Sequence, residues 1–169
     1  MPSWRTATTV YRFHRVRWLV RDGQGTIGRV RLSQEQARAR FGAARVARLA
    51  TTGLDGQPHL VPVTFAVDGD LIYTAVDHKP KTTVNLRRLR NILQNPRVAL
   101  LADHYAENWD ALWWVRVDGS ASIVEHGQVA QHPIDMLATR YEQYRQTRPG
   151  GPVIVIQADG WTGWSAARR

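Results

Sequence analysis

Two short turn signals most constrain what this chain can fold into. The run RVARLATT (45–52) leads into Leu54-Asp55-Gly56-Gln57, and PHLVPVTFAV (58–67) leads into Asp68-Gly69-Asp70 before LIYTAV (71–76). An Asp-Gly pair between apolar runs favours a tight reversal, because glycine takes positive φ at no steric cost. The first run alternates Val46, Arg48 and Ala50 against Ala47, Leu49 and Thr51, the period of a strand with one buried face. Together they predict a meander of three antiparallel strands, with 58–67 as a single strand.

The rest of the chain surrounds that meander. Ser33-Gln34-Glu35-Gln36 has capping-box spacing and opens a helix of about ten residues to Phe41, ended by Gly42. From Thr82 to Gln94, Leu86, Leu89 and Leu93 share one helical face while Arg87, Arg88 and Arg90 lie elsewhere. RVALLAD (97–103) reads as a strand, and ALWWVRVDGSASIV (111–124) as a longer one bent at Gly119. A helix over 134–145 follows, and PVIVIQAD (152–159) with the tail GWTGWS (160–165) finishes the chain as one or two strands. The class is mainly β with peripheral helices: an antiparallel barrel or curled sheet, not a doubly wound parallel one.

Charge divides the chain into two parts. The net +9 is concentrated in residues 1 to 31, where seven arginines face Asp22 alone; the remainder carries 16 basic and 13 acidic groups. Residues 1–30 are expected to be a basic extension, disordered or a misassigned start, and 31–169 the folded domain. As a nucleic-acid arm or a targeting peptide the head is a weaker reading, so nucleic acid is not expected as the main partner. The domain is long enough, and at 43% hydrophobic rich enough, for one core. No apolar run approaches the roughly 18 residues of a membrane span, so a soluble, cytoplasmic protein is expected. The absence of cysteine excludes disulfides, thiolate metal sites and cysteine nucleophiles.

The richest candidate site is DHKPKTTVNLRR (77–88). It holds Lys79 and Lys81, the only lysines among 23 basic side chains. A strand ends there and a helix is expected from about Thr82, so free N–H groups and the positive end of the helix dipole meet two ammonium groups and the hydroxyls of Thr74, Thr82 and Thr83. That combination suits a phosphate. A second candidate is Pro58-His59-Leu60-Val61-Pro62-Val63: Pro62 cannot donate to a ladder, which implies an edge, a bulge or a backbone facing a ligand. The six histidines have no helical metal-ligand spacing, and no metal site is expected. Trp113 and Trp114, as strand neighbours, face opposite sides; one is expected to be buried and the other to line a pocket or a subunit interface. No Ser-His-Asp order, paired carboxylates, P-loop or GxGxxG is present, so any redox chemistry belongs to a bound cofactor.

These residues carry a resemblance. The stretch ARLATTGLDGQPHLVPVTFAVDGDLIYTAVDHKPKTTVNLRRLRNILQNPRVALLADHY, with LWWVRVDGSASIV and WTGWSA, resembles the pyridoxamine-phosphate-oxidase-like split β-barrel flavoproteins, nearest to the branch that uses the deazaflavin coenzyme F420. The resemblance implies a six-stranded antiparallel split β-barrel, a homodimer, and two cofactors at the dimer interface. It implies that Lys79, Lys81 and Thr82 bind the cofactor phosphate, with Thr74 and Asn85 close by. His59, Val61, Pro62 and Val63 would follow the tricyclic ring, and Trp113 or Trp114 with Trp164 would close the pocket. The implied activity is hydride transfer from reduced F420 to an electron-poor small molecule, with an FMN-dependent flavin reductase or oxidase, or a non-catalytic cofactor carrier, as alternatives. The terminal arginine-histidine signature of true pyridoxamine-phosphate oxidases is absent, so vitamin B6 oxidation is not implied.

Overall fold

The computed structural model describes residues 28–77, 86–125 and 127–167, with side chains from 30 to 166 among them. Strands β1 (Gly28–Arg31), β2 (Ala47–Thr52), β3 (Pro58–Val63), β4 (Ala66–Asp68), β5 (Leu71–Ala75), β6 (Arg97–His104), β7 (Trp113–Val124) and β8 (Val153–Ala167) make one sheet. The path runs β3-β2-β6-β7-β8-β5-β4, with β1 on β8, and every pairing is antiparallel. Six of these strands have five residues or more and two, β1 and β4, are shorter. Helices α1 (Gln34–Ala43), α2 (Arg87–Gln94), α3 (Gln128–Arg140) and α4 (Glu142–Gln146) lie at the periphery. No described helix is long and apolar enough to cross a membrane.

Both expected hairpins form, but they are not neighbours. The run 58–67 is interrupted at Thr64-Phe65, so β3 pairs with β2 at one end of the path and β4 pairs with β5 at the other. The two residues between β3 and β4 therefore bridge the two ends of the sheet, which closes it into a split barrel instead of a three-strand meander. Tyr141, just after α3, pins this crossover. Its hydroxyl accepts the Phe65 N–H at 3.0 Å and lies 2.9 Å from the Phe65 carbonyl and 2.8 Å from the Arg45 carbonyl, one of which takes its single proton.

The core follows the predicted alternation. Ala47 and Leu49 of β2, Val98, Leu100 and Ala102 of β6, Val115 and Val117 of β7, and Ile154 and Ile156 of β8 point inward against Phe41 and Phe65. Residues Ile72 to Ala75 of β5 are all buried, because Ile72 enters this core while Ala75 packs under the α3–α4 pair with Leu137, Tyr141 and Tyr144. The capping box on α1 is present, Ser33 Oγ accepting from Gln36 N at 3.1 Å and Gln36 Oε1 from Ser33 N at 2.9 Å. Gly42 lies within α1, whose C-cap is Ala44. β7 bends as expected: its register on β8 shifts between Asp118 and Gly119, where a Cβ would meet the Gln157 carbonyl at 2.3 Å.

Several further expectations are corrected or made definite. α2 begins at Arg87 behind an extended Leu86, and it buries Asn91 and Ile92 while Leu93 is 77% exposed. Asn91 turns inward because its amide donates to the buried Thr51 hydroxyl at 3.1 Å. The helix over 134–145 is two helices broken at Tyr141, whose extended backbone carries the hydroxyl to the crossover. The tail 160–165 is strand, continuous with 153–159, because β1 and the far half of β7 supply its partners. Neither Trp113 nor Trp114 is buried; Trp161 fills the core, edge-on to Phe41 at 5.5 Å with its Nε1 donating to Asp70 at 3.2 Å. The expected boundary between residues 30 and 31 falls inside β1.

Candidate functional site

A cleft of about 270 Å³ opens where the sheet path closes. One wall is the end of β3, with Pro62 and Val63; the other is the end of β5, with Thr74, Ala75 and Val76. Leu86 and Arg88 from the start of α2 complete it. β3 is the terminal strand of the path and Pro62, which has no N–H to give, sits on it, as its chemistry requires. Thr74 is 2% exposed and lines this corner.

The corner is rich in arginine, with Arg87 paired to Asp55 at 3.4 Å and Arg88 facing the Asp77 carboxylate in the cleft. α2 starts without a side-chain cap and without an acid in its first turn, and its first four residues include Arg87, Arg88 and Arg90. Cations at the positive end of a helix dipole are unfavourable unless an anion joins them. Burial holds the Arg88 pKa below its ordinary value, opposed by the charges of Asp77 and Tyr144; an arginine nevertheless stays charged. Burial, with the charges of Arg87 and Arg88, also lowers the pKa of His59. The His59 Nδ1 is buried with no hydrogen-bond partner among the described residues. A group with acceptor oxygens fits this set: an uncapped helix start, a half-buried guanidinium and a buried hydroxyl are complementary to phosphate.

The structure brings together part of the expected set. Pro62, Val63 and Thr74 share the cleft. His59, Val61 and Val63 alternate onto the inner side of β3, where Val61 packs against the core and His59 lies within the field of Arg87 and Arg88. Trp113 stands elsewhere, in a groove beside α1 with the Arg40 guanidinium 5.5 Å over its ring, and Trp164 pairs with Trp114 between β8 and β7. Lys79, Lys81, Thr82 and Asn85 lie outside the described residues.

Sequence reasoning missed Tyr144, and within 77–88 it gave no role to Asp77 or Arg88. The Tyr144 hydroxyl donates to the Asp77 carboxylate and stands 2.8 Å from the Thr64 hydroxyl, and its pKa is raised to about 12, by burial first and then by that bond. Asp77 and Thr64, with Val46, form the divide between the cleft and a second groove of about 680 Å³. The available signal was the spacing of Tyr141 and Tyr144, which a helix over 134–145 would have placed on one face.

These features define a split-barrel protein with a polar cleft at the seam of its sheet. The chain belongs to the pyridoxamine 5'-phosphate oxidase family, whose sequence profile matches residues 33–165. A 56-residue region is 38% identical to the 5a,11a-dehydrotetracycline/5a,11a-dehydrooxytetracycline reductase of Streptomyces rimosus subsp. rimosus; it spans 33% of this chain and 38% of that protein. Among solved structures, an FAD-binding protein from Mesorhizobium loti superposes with a TM-score of 0.65 at 21% identity, covering 82% of this chain and 99% of that one. A conserved hypothetical protein of Mycobacterium tuberculosis gives 0.61 at 25% identity, covering 79% and 85%.

Proposed function

We propose that this chain is a reductase that holds coenzyme F420 in the cleft between β3 and β5 and delivers a hydride from it to an electron-poor small molecule. The observation that carries the reading is the arginine-rich corner: the uncapped α2 start and Arg88 with the buried Thr74, at the end of a proline-bearing terminal strand. When bound, the cofactor supplies the hydride; the protein supplies position and charge. Arg88, Thr74 and the first N–H groups of α2 hold the phosphate. Lys79, Lys81, Thr82 and Asn85 belong to the segment that links Asp77 to Leu86, both of which line the cleft, and they add the remaining charge and donors. Pro62 and Val63 border the ring, and His59, kept neutral by burial and by two arginines, offers it a ring nitrogen without a competing positive charge.

In this reading the protein is a homodimer, and Trp113 or Trp114 with Trp164 reaches the cleft from a second copy, since within one chain Trp113 lines a different groove. A similar structure named as an FAD-binding protein favours a second reading, a flavin reductase of the same geometry.

The test is titration of the full chain with F420 and, separately, with FMN, followed by ligand fluorescence. Saturable F420 binding, weakened about tenfold or more by Lys81→Ala or Arg88→Ala, supports the proposal. Binding of FMN alone moves the assignment to the flavin reductase. F420 binding without faster reoxidation by quinones or enones makes the chain a carrier.

A further inference from the structure

The larger groove, on the far side of the Val46-Thr64-Asp77 divide, has a chemistry of its own. At about 680 Å³ it has the volume of a small-molecule site. Its wall is aromatic: the Tyr141 and Tyr144 rings meet edge to face at 5.7 Å. Its charged groups differ in their partners. Arg148 forms an ion pair with Asp135, and the Asp77 carboxylate, which keeps its charge, accepts from the Tyr144 hydroxyl at the divide. Arg45 is different. Its guanidinium stacks 4.6 Å over the Tyr141 ring, donates from Nη1 to the Arg140 carbonyl at 2.9 Å, and has no carboxylate partner among the described residues. Stacking leaves the guanidinium edge, with most of its N–H donors, available to a planar anion.

We infer that this groove binds a planar conjugated compound carrying a carboxylate, enolate or phenolate, with Arg45 as its anion contact and the Tyr141-Tyr144 pair as its aromatic wall. As the acceptor site of a reductase it rests on the function proposed above, because the divide it shares with the smaller cleft places the two ligands next to each other. As a binding site it stands on the groove alone. Thr64 and Asp77, which belong to both walls, and Tyr144, which bridges them, set how far the compound enters. Arg45 thus selects for charge, while the Tyr141-Tyr144 pair selects for a flat ring system.

The experiment is isothermal titration of the cofactor-free full chain with 2-naphthoate and with its neutral isostere 2-naphthamide, in wild type, Arg45→Gln and Thr147→Lys. Thr147 lines the groove, is exposed, and makes no side-chain bond to any described residue, so a lysine there adds charge without removing a contact. Neither position lines the smaller cleft. The expected result is a loss of about tenfold in naphthoate affinity in Arg45→Gln, a gain of several-fold in Thr147→Lys, and naphthamide affinity unchanged in both. Opposite signs in two variants exclude misfolding as the cause. Naphthoate affinity that ignores both changes, equal losses for acid and amide, or no naphthoate binding at all overturns the inference. None of these readouts depends on F420 or FMN binding, so failure of this site and failure of the proposed function are separable.

Discussion

The crossover between β3 and β4 depends on one hydroxyl, and removing it has a calculable cost. Phe65 is fully buried, so when Tyr141→Phe deletes the acceptor of its N–H, water cannot replace it. An orphaned buried donor costs about 1–3 kcal/mol, and the hydrogen bond that the hydroxyl proton makes to a carbonyl adds about 1 kcal/mol, which gives about 2–4 kcal/mol in all. The ring stays, so its packing against Tyr144 and the stacked Arg45 is retained and no cavity forms. For a chain of this size each kcal/mol moves the midpoint by about 2–4 °C, so the variant should melt about 5–15 °C lower. Tyr144→Phe is the internal control. Its hydroxyl meets the Thr64 and Asp77 side chains, which reach solvent and are rehydrated when it is lost, so its loss should cost less, about 1–2 kcal/mol. Urea unfolding followed by tryptophan fluorescence at equal protein concentrations measures both. A Tyr141→Phe midpoint within about 0.5 kcal/mol of wild type, or equal costs for the two variants, would refute the assignment of the crossover to Tyr141.

Two other outcomes follow from the structure. The Tyr144 pKa is raised from 10.0 to about 12, so the native state holds this proton more tightly than the unfolded chain; the stability it contributes is intact below pH 10 and is lost as pH rises through 12. The drop in melting temperature between pH 10 and 12 should therefore be smaller in Tyr144→Phe than in wild type. Gly119→Ala should destabilise by about 1–3 kcal/mol, because its Cβ would overlap the Gln157 carbonyl, whereas Gly42→Ala, with nothing within 4 Å, should be neutral or stabilising by up to about 1 kcal/mol; urea midpoints compare them.

How much of this was legible in the sequence varied with the range of the interaction that fixes each element. The hairpin turns and the capping box on α1 are set by residues within a few positions, and the one-dimensional pattern contains them; the bend at Gly119 was marked by the glycine itself, although its cause is the Gln157 carbonyl on β8. The break at Thr64-Phe65 is not local. Neither residue is a breaker, and the chain turns there because Tyr141, 76 positions later, takes the Phe65 N–H. The 15-residue length of β8 was hidden for a related reason: the partners of its second half, β1 and the start of β7, are far away in the sequence, and at Gly163 a close approach to the Trp114 carbonyl, 2.6 Å from a would-be Cβ, explains the glycine. In the site, Pro62 and Thr74 announced themselves by residue chemistry. Arg88 was placed off the inward face because Leu86, Leu89 and Leu93 were read as that face, whereas α2 turns Asn91 and Ile92 inward, three and four positions after Arg88.

The position of β8 in the path has a consequence for how the protein is made. Strands β2, β3, β6 and β7 can assemble among themselves, and β4 with β5, but only β8 joins β7 to β5. It is the latest of these strands in the sequence. On the ribosome the chain therefore carries two open sheet edges, on β7 and on β5, until residues 153–167 emerge, and these edges are templates for unwanted pairing. The ligand seam between β3 and β5 is likewise assembled last, so a chain truncated before Val153 would be both adhesive and without its cleft.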